Sequence, residues 1–210
     1  MVMSQLLYIE ASPAKERSHT IAVAAAFLEA WRSTHPGDPI EKIDLWSTPL
    51  PPFDANTIEA KFAVLRRNEF TPEQRDRWES VRSVARRFNS ASHYVFSVPM
   101  WNFGMPYPLK HFVDVVTLPG ENWTWSKDEG YRSLLTGKKA LLICASANLH
   151  SETGEGASDF LRPHLRHWLK FIGIQDIQEI LVTPTLADPQ EVMRTRANAI
   201  ADARAVATAF

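Results

Sequence analysis

Five short apolar runs recur along the 210-residue chain, each followed by a longer stretch of helical periodicity. The runs cover residues 5–11, 39–45, 93–98, 138–146 and 177–182. A strand buried on both faces reads as near-continuous apolar sequence, because neither face is left to water. The second run, with Glu41, Lys42 and Asp44, is more polar and belongs nearer a sheet edge. After the first run, Ile21, Ala24, Ala25, Leu28 and Trp31 lie on one helical face, Ser18 is placed to cap that helix, and His35-Pro36-Gly37 stops it. After the second come a proline-rich loop, a helix over 56–68, and a helix start at Thr71-Pro72-Glu73 with Trp78, Val81, Ala85 and Phe88 on its buried face. Leu109, Phe112, Val113 and Val116 follow the third run. Phe160, Leu161, Leu165, Trp168, Leu169 and Ile172 follow the fourth, with Gly173 at the end. Residues 189–208 form an alanine-rich helix, and Trp123-Thr124-Trp125 before Asp128-Glu129-Gly130 reads as a small hairpin. Strands alternating with helices give parallel βαβ units. The expected fold is α/β: a three-layer sandwich with a five-stranded parallel sheet and helices on both faces, one domain over residues 1–210.

Composition narrows the function classes. Net charge is −1, which offers no footprint for nucleic acid or an anionic membrane surface. The arginines at 75, 77, 82, 86 and 87 are interleaved with Asp76 and Glu79 and read as a solvated face. The single cysteine, Cys144, lies mid-strand as core filler and permits no internal disulfide, which fits a reducing compartment. His164 and His167 share a helix face, but no carboxylate or cysteine cluster completes a metal site. No secretory leader is legible and no apolar run approaches the ~20 residues of a membrane span. The expectation is a soluble cytoplasmic protein with no nucleic-acid and no membrane partner.

Ligands of open parallel sheets sit at the carboxyl ends of the strands, where the strand order reverses. In the order 2-1-3-4-5, strands one and three are neighbours there. The loop after strand one carries hydroxyls at Ser12, Ser18 and Thr20, the His19 imidazole and the Arg17 guanidinium, and it opens a helix whose first N–H groups favour an anion. It is neither a Walker loop nor a dinucleotide fingerprint. A capped helix with scattered hydroxyls is the other reading. The loop after strand three, Pro99-Met100-Trp101-Asn102-Phe103, is either the floor of a ligand site or a turn with two aromatics packed inward. A third loop leaves strand four at Ser146.

Three segments, Ser12-Pro13…Arg17-Ser18-His19-Thr20, Pro99-Met100-Trp101-Asn102-Phe103 and Leu135-Thr136-Gly137-Lys138-Lys139-Ala140, resemble signatures of the FMN-dependent NADH-azoreductases, a family of flavodoxin-like quinone reductases. Their order and spacing cover nearly the whole chain. The resemblance implies the flavodoxin-like fold and a homodimer with one FMN per subunit and active sites at the dimer interface. It places Ser12, Ser18, His19 and Thr20 on the FMN phosphate, and Pro99, Met100, Trp101, Asn102 and Phe103 along the isoalloxazine ring. Ser146 and Asn148 fall in the loop where the family usually shows Ser-Arg-Gly-Gly; this chain has Ser146-Ala147-Asn148-Leu149. The implied activity is two-electron, ping-pong hydride transfer from NADH or NADPH through FMN to a quinone or azo acceptor. Trp101, Phe103 and Trp123 would stack the substrate, Trp123 from a hairpin segment that in the resembling family often caps the substrate cavity across the dimer, and no side chain is named as acid or base because the flavin carries the chemistry. A non-catalytic FMN sensor or electron carrier is the alternative.

Overall fold

The computed structural model describes residues 5–66, 68–154 and 156–210. Arg67, in the helix expected over 56–68, and Glu155, in the loop expected over 147–156, lie outside the described residues. Along the chain run β1 (Leu6–Glu10), α1 (His19–Thr34), β2 (Ile40–Asp44), α2 (Ala55–Arg66), α3 (Pro72–Ser90), β3 (His93–Pro99) and α4 (Tyr107–Val116). The hairpin β4 (Trp123–Ser126) and β5 (Gly130–Ser133) follows, then β6 (Lys139–Ala145), α5 (Arg162–Ile172), β7 (Asp176–Val182) and α6 (Pro189–Ala207).

The main sheet has the order β2-β1-β3-β6-β7, parallel throughout. Counting only its own strands, this is the expected 2-1-3-4-5 order, and the two hairpin strands form a separate antiparallel pair. Alternate side chains of each strand serve opposite layers. Leu7, Ile9, Phe96, Val98, Leu142 and Cys144 pack with α3, α4 and α5. Leu6, Tyr8, Val95, Leu141 and Ile143 pack with α1 and α6 through Val23, Phe27, Trp31, Ala199 and Ala203. Two-sided burial is why these strands read as unbroken apolar runs. A smaller core of Trp78, Val81, Ala85, Val115 and Leu118 seats α2 on the outside of α3 and α4. Cys144 is core filler as expected, and burial pushes its thiol well above the ordinary range.

Local signals decide where the helices begin. Thr71 and Gln74 form a reciprocal capping box at 3.2 and 3.1 Å, and Pro72 opens α3. One expected start is corrected. Phe160 is not in α5 but exposed in the loop before it, because Asp159 Oδ1 accepts the N–H groups of Leu161 and Arg162, each at 3.0 Å, and Pro163 sets the first turn. The five arginines of α3 are surface groups, several paired: Arg77 with Asp54, Arg82 with Glu79 and Glu121, and Arg87 with Glu41. Among the described residues no helix is long and apolar enough to cross a membrane, and no group of three or more His, Cys, Asp or Glu is arranged to hold a metal.

Gly173 ends α5 at φ 108°, and a Cβ there would fall 2.0 Å from the Leu135 carbonyl oxygen. Gly104 has open space at the same position. Gly173→Ala should therefore cost at least ~2 kcal/mol in urea denaturation, with Gly104→Ala near neutral; equal midpoints for the two variants would refute this account of the α5–hairpin junction.

Candidate active site

The β1–β3 pairing sets Glu10 beside Ser97, so the loops leaving those two strands emerge together. A cleft of about 280 Å³ opens between them. Its walls are Ser12, Arg17, Ser18, His19 and Thr20 from the first loop, Pro99, Met100 and Trp101 from the second, and Ala145 at the end of β6 with Ser146 and Ala147 after it. Thr185, from the segment after β7, closes the far side.

The anion side is built from a helix start. Ser18 caps α1, its Oγ accepting the Ile21 N–H at 3.3 Å and lying 3.2 Å from the Thr20 hydroxyl. The N–H groups of His19 and Thr20, first in the helix, have no intrahelical acceptor and point out of its positive end. Ser12, Ser18 and Thr20 are buried in the protein, so their hydroxyls serve only this cleft and their immediate neighbours. His19 Nδ1 is buried with no hydrogen-bond partner in the protein. Burial, then the charge of Arg196, holds the His19 imidazole below its ordinary pKa, so it is neutral at pH 7. A neutral imidazole offers one N–H donor to an oxyanion.

The aromatic side is a strained turn. Trp101 and Gly104 exchange backbone hydrogen bonds at 2.9 and 3.0 Å around Asn102 and Phe103, whose φ values are 47° and 69°. Two left-handed residues at a two-residue hairpin tip make a type I′-like turn, for which Asn-Gly is the favoured pair. A phenylalanine there costs about 1–2 kcal/mol of backbone energy. The Phe103 carbonyl accepts the Phe160 N–H at 3.0 Å, and its ring meets the His150 imidazole edge-on at 5.7 Å. Trp101 is backed by Trp46 at 5.6 Å, which in turn meets Tyr107 at 5.5 Å.

Most expected site residues converge, but not all. Asn102 and Phe103 are exposed at the turn tip beside the cleft and do not line it. Asn148 is exposed outside the lining, while its carbonyl accepts the Ser146 hydroxyl at 2.7 Å. Ser146 Oγ also lies 3.1 Å from the Thr183 hydroxyl, which can donate to it, so that hydroxyl is spent within the loop. Trp123, expected in a segment that caps the substrate cavity across the dimer, lies apart from the cleft of its own chain. Its hairpin joins the end of α4 to the start of β6, both at the amino end of the sheet, and its buried ring packs on Tyr131 and Phe171, away from the cleft of its own chain. Beyond the small lining residues Ala14, Ala145 and Ala147, sequence reasoning did not single out Thr185, which lines the cleft, or Trp46 and Tyr107, which back it. Thr185 had a signal, since Thr183-Pro184 breaks the fifth strand at the same carboxyl end as the other loops.

Two tests follow from this geometry. Phe103→Gly relieves the left-handed strain and removes a ring that is 51% exposed, so stability should change by less than ~1 kcal/mol while ligand binding suffers; a loss of several kcal/mol would refute the strain. Burial, aided by Lys139, also depresses His93. With folded-state values below the unfolded ~6.5, His19 and His93 bind protons more readily when unfolded. Stability is then fully present above that value and lost as pH falls through and below it, which urea midpoints at pH 7.5 and 5.5 should register, less steeply in His93→Gln.

The comparisons agree with this architecture. Residues 4–207 match the Flavodoxin_2 family, described as a flavodoxin-like fold. The FMN-dependent NADH:quinone oxidoreductase of Desulfotalea psychrophila is 38% identical over 205 residues, covering 98% of this chain and 97% of that one. FMN-dependent NADH:quinone oxidoreductase 9 of Burkholderia lata is 36% identical over 212 residues, with 99% and 100% covered. An FMN-dependent NADH-azoreductase from Bacillus anthracis, solved in complex with FMN, superimposes with a TM-score of 0.85 at 26% identity over 98% of both chains. The chain belongs to the Flavodoxin_2 family of flavodoxin-like fold proteins, alongside these FMN-dependent NADH:quinone oxidoreductases.

Proposed function

We propose that the chain is an FMN-dependent NAD(P)H oxidoreductase that reduces quinones and azo compounds by two-electron, ping-pong hydride transfer. One observation carries the reading: a single cleft at the β1–β3 switch point joins a helix-capped anion loop to a flat tryptophan-backed wall. FMN has the same two ends, a phosphate and a planar ring. The residues present fit it, since buried hydroxyls at Ser12, Ser18 and Thr20 and an unpartnered His19 Nδ1 converge where a phosphate would lie. The two quinone oxidoreductases named above support the activity and NADH as donor. The Bacillus anthracis azoreductase supports azo acceptors.

Bound FMN supplies the isoalloxazine that takes a hydride from a nicotinamide and hands two electrons to the acceptor. Ser12, Arg17, Ser18, His19 and Thr20 hold the phosphate, with the α1 dipole adding to the Arg17 charge. Pro99, Met100 and Trp101 would hold the isoalloxazine, with Asn102 and Phe103 at the turn tip beside it. Ser146 and Asn148 shape the third loop. Trp101 and Phe103 stack the flat donor and acceptor in turn, and desolvate them while they react. The working unit is a cytoplasmic homodimer of one flavodoxin-like domain per chain, with neither nucleic acid nor membrane as partner. Trp123 meets substrate only from the partner subunit's hairpin.

Adding FMN to the ligand-free protein should give bound-flavin absorbance and FMN-dependent NADH oxidation with benzoquinone. Absence of both sinks the reading, whereas bound flavin that NADH does not bleach favours the sensor or carrier. Ser12→Ala should raise the FMN Kd roughly tenfold, the scale of one charge-assisted hydrogen bond, and leave riboflavin binding little changed.

A further inference from the structure

The anion loop contains two cations, and they do different things. Arg17 lines the cleft; Lys15, two residues earlier, does not. The Lys15 ammonium turns back beneath the loop, 2.7 Å from Glu10 Oε1 and in contact with the Asp44 carboxylate. Glu10 ends β1 and is 1% exposed. Its other oxygen takes Lys42 Nζ at 2.6 Å and the Tyr8 hydroxyl at 3.3 Å. Tyr8 in turn shares a 2.9 Å hydrogen bond with Ser97 across the β1–β3 seam. Asp44 ends β2, and its second oxygen accepts the Trp46 N–H at 3.1 Å. The Trp46 indole N–H donates to the Ala11 carbonyl at 3.0 Å, and its ring backs Trp101.

The loop needs such an anchor. Lys15 has φ 51°, a left-handed conformation unfavourable for any residue with a side chain. The loop's own backbone bonds are short-range, Arg17 N–H to Ala14 O at 3.0 Å and Ser18 N–H to Lys15 O at 2.9 Å. Among the described residues, Lys15 makes the only hydrogen bonds from residues 13–17 to another part of the chain. Lys15 and Lys42 balance Glu10 and Asp44, so the group of four is neutral and adds no net attraction for an anion.

We infer that Lys15 is a positioning residue for the cofactor site: clamped between Glu10 and Asp44, it holds the loop in the left-handed conformation that presents Ser12, Arg17 and Ser18 to a phosphoryl group, without touching that group itself. The inference deepens the FMN reading and rests on it. It also ties the two halves of the cleft together, because Asp44 that grips Lys15 also seats the tryptophan behind the ring wall. Removing Lys15 does two separable things. It frees the loop, and it leaves one uncompensated negative charge near the phosphate position. Lys15→Met with Asp44→Asn restores neutrality but not the clamp.

The experiment measures FMN and riboflavin affinity by fluorescence, and amide hydrogen exchange of the ligand-free protein, for the wild type, Lys15→Met, Lys15→Arg, Asp44→Asn and the Lys15→Met/Asp44→Asn double variant. Lys15→Met should raise the FMN Kd roughly tenfold, the scale of holding one left-handed residue, and leave riboflavin affinity little changed. The Arg17 and Ser18 amides should exchange faster. Lys15→Arg should recover most of the loss, the double variant should stay weak, and Asp44→Asn alone, which keeps the Glu10 contact, should be intermediate. If the double variant regains wild-type affinity, or added salt erases the Lys15→Met defect, charge rather than position is responsible and the inference falls. Unchanged exchange at Arg17 and Ser18 overturns it as well. If the wild type binds no FMN, the cofactor reading fails, while exchange in the ligand-free chain still reports whether Lys15 holds the loop. Should Lys15→Met fail to fold, Asp44→Asn carries the same comparison.

Discussion

The candidate site rests on the hydrogen-bonded seam between β1 and β3. Both strands run the same way, but their outgoing connections part. The β1 connection enters α1 on one face of the sheet, and the β3 connection enters α4 on the other. A crevice must open where they diverge, and no neighbouring loop can fill it. The register that pairs Glu10 with Ser97 decides that a capped helix start and an aromatic turn face each other across that crevice. A slip of one residue would exchange the faces of every β1 side chain and bury the wrong set.

The seam also carries an electrostatic problem. Glu10 lies at the end of a strand whose five residues are all buried. A carboxylate there would cost several kcal/mol if left unpaired. Two ammonium groups and the Tyr8 hydroxyl satisfy it, and the strand end becomes a rigid base instead of a liability. An anion at the surface above would then meet oriented N–H groups, hydroxyls and Arg17. A chain of net charge −1 can in this way hold a strongly anionic ligand at one place without being basic overall.

The fold was legible because its strands are buried on both sides. Continuous apolar runs such as residues 140–144 have no other comfortable reading once helices separate them. Helix starts were legible where a cap and a proline coincide, as at Thr71-Pro72, and misread where an apolar residue continued the stripe outside the helix, as at Phe160. Of the site, the two loops at the β1–β3 seam were visible from hydroxyl and aromatic content. Trp123 packs at the amino end of the sheet of its own chain, and residue type alone does not say which cavity such a hairpin would border. The Glu10–Lys15–Asp44 contacts were invisible because Asp44 lies 29 residues from Lys15 and only the pairing of β1 with β2 brings it beside Glu10 and the loop. No glycine announced the left-handed turn at Lys15 or at Asn102-Phe103.

The backbone bond from Phe160 to Phe103 has a consequence for how such a site can diversify. The long segment after β6 is fastened at its far end twice, by that bond and by Asp159 with Arg162. At its near end Thr185 donates to the Ser146 carbonyl, again from both N–H and hydroxyl. A loop pinned at both ends can change between the pins, apart from His150 on the Phe103 ring and Glu152 paired with Arg162 and Arg166, without shifting the ground on either side, at a closure cost that grows only slowly with length. The aromatic wall and the anion loop then stay constant while the border of the cleft is free to be rewritten for a different acceptor.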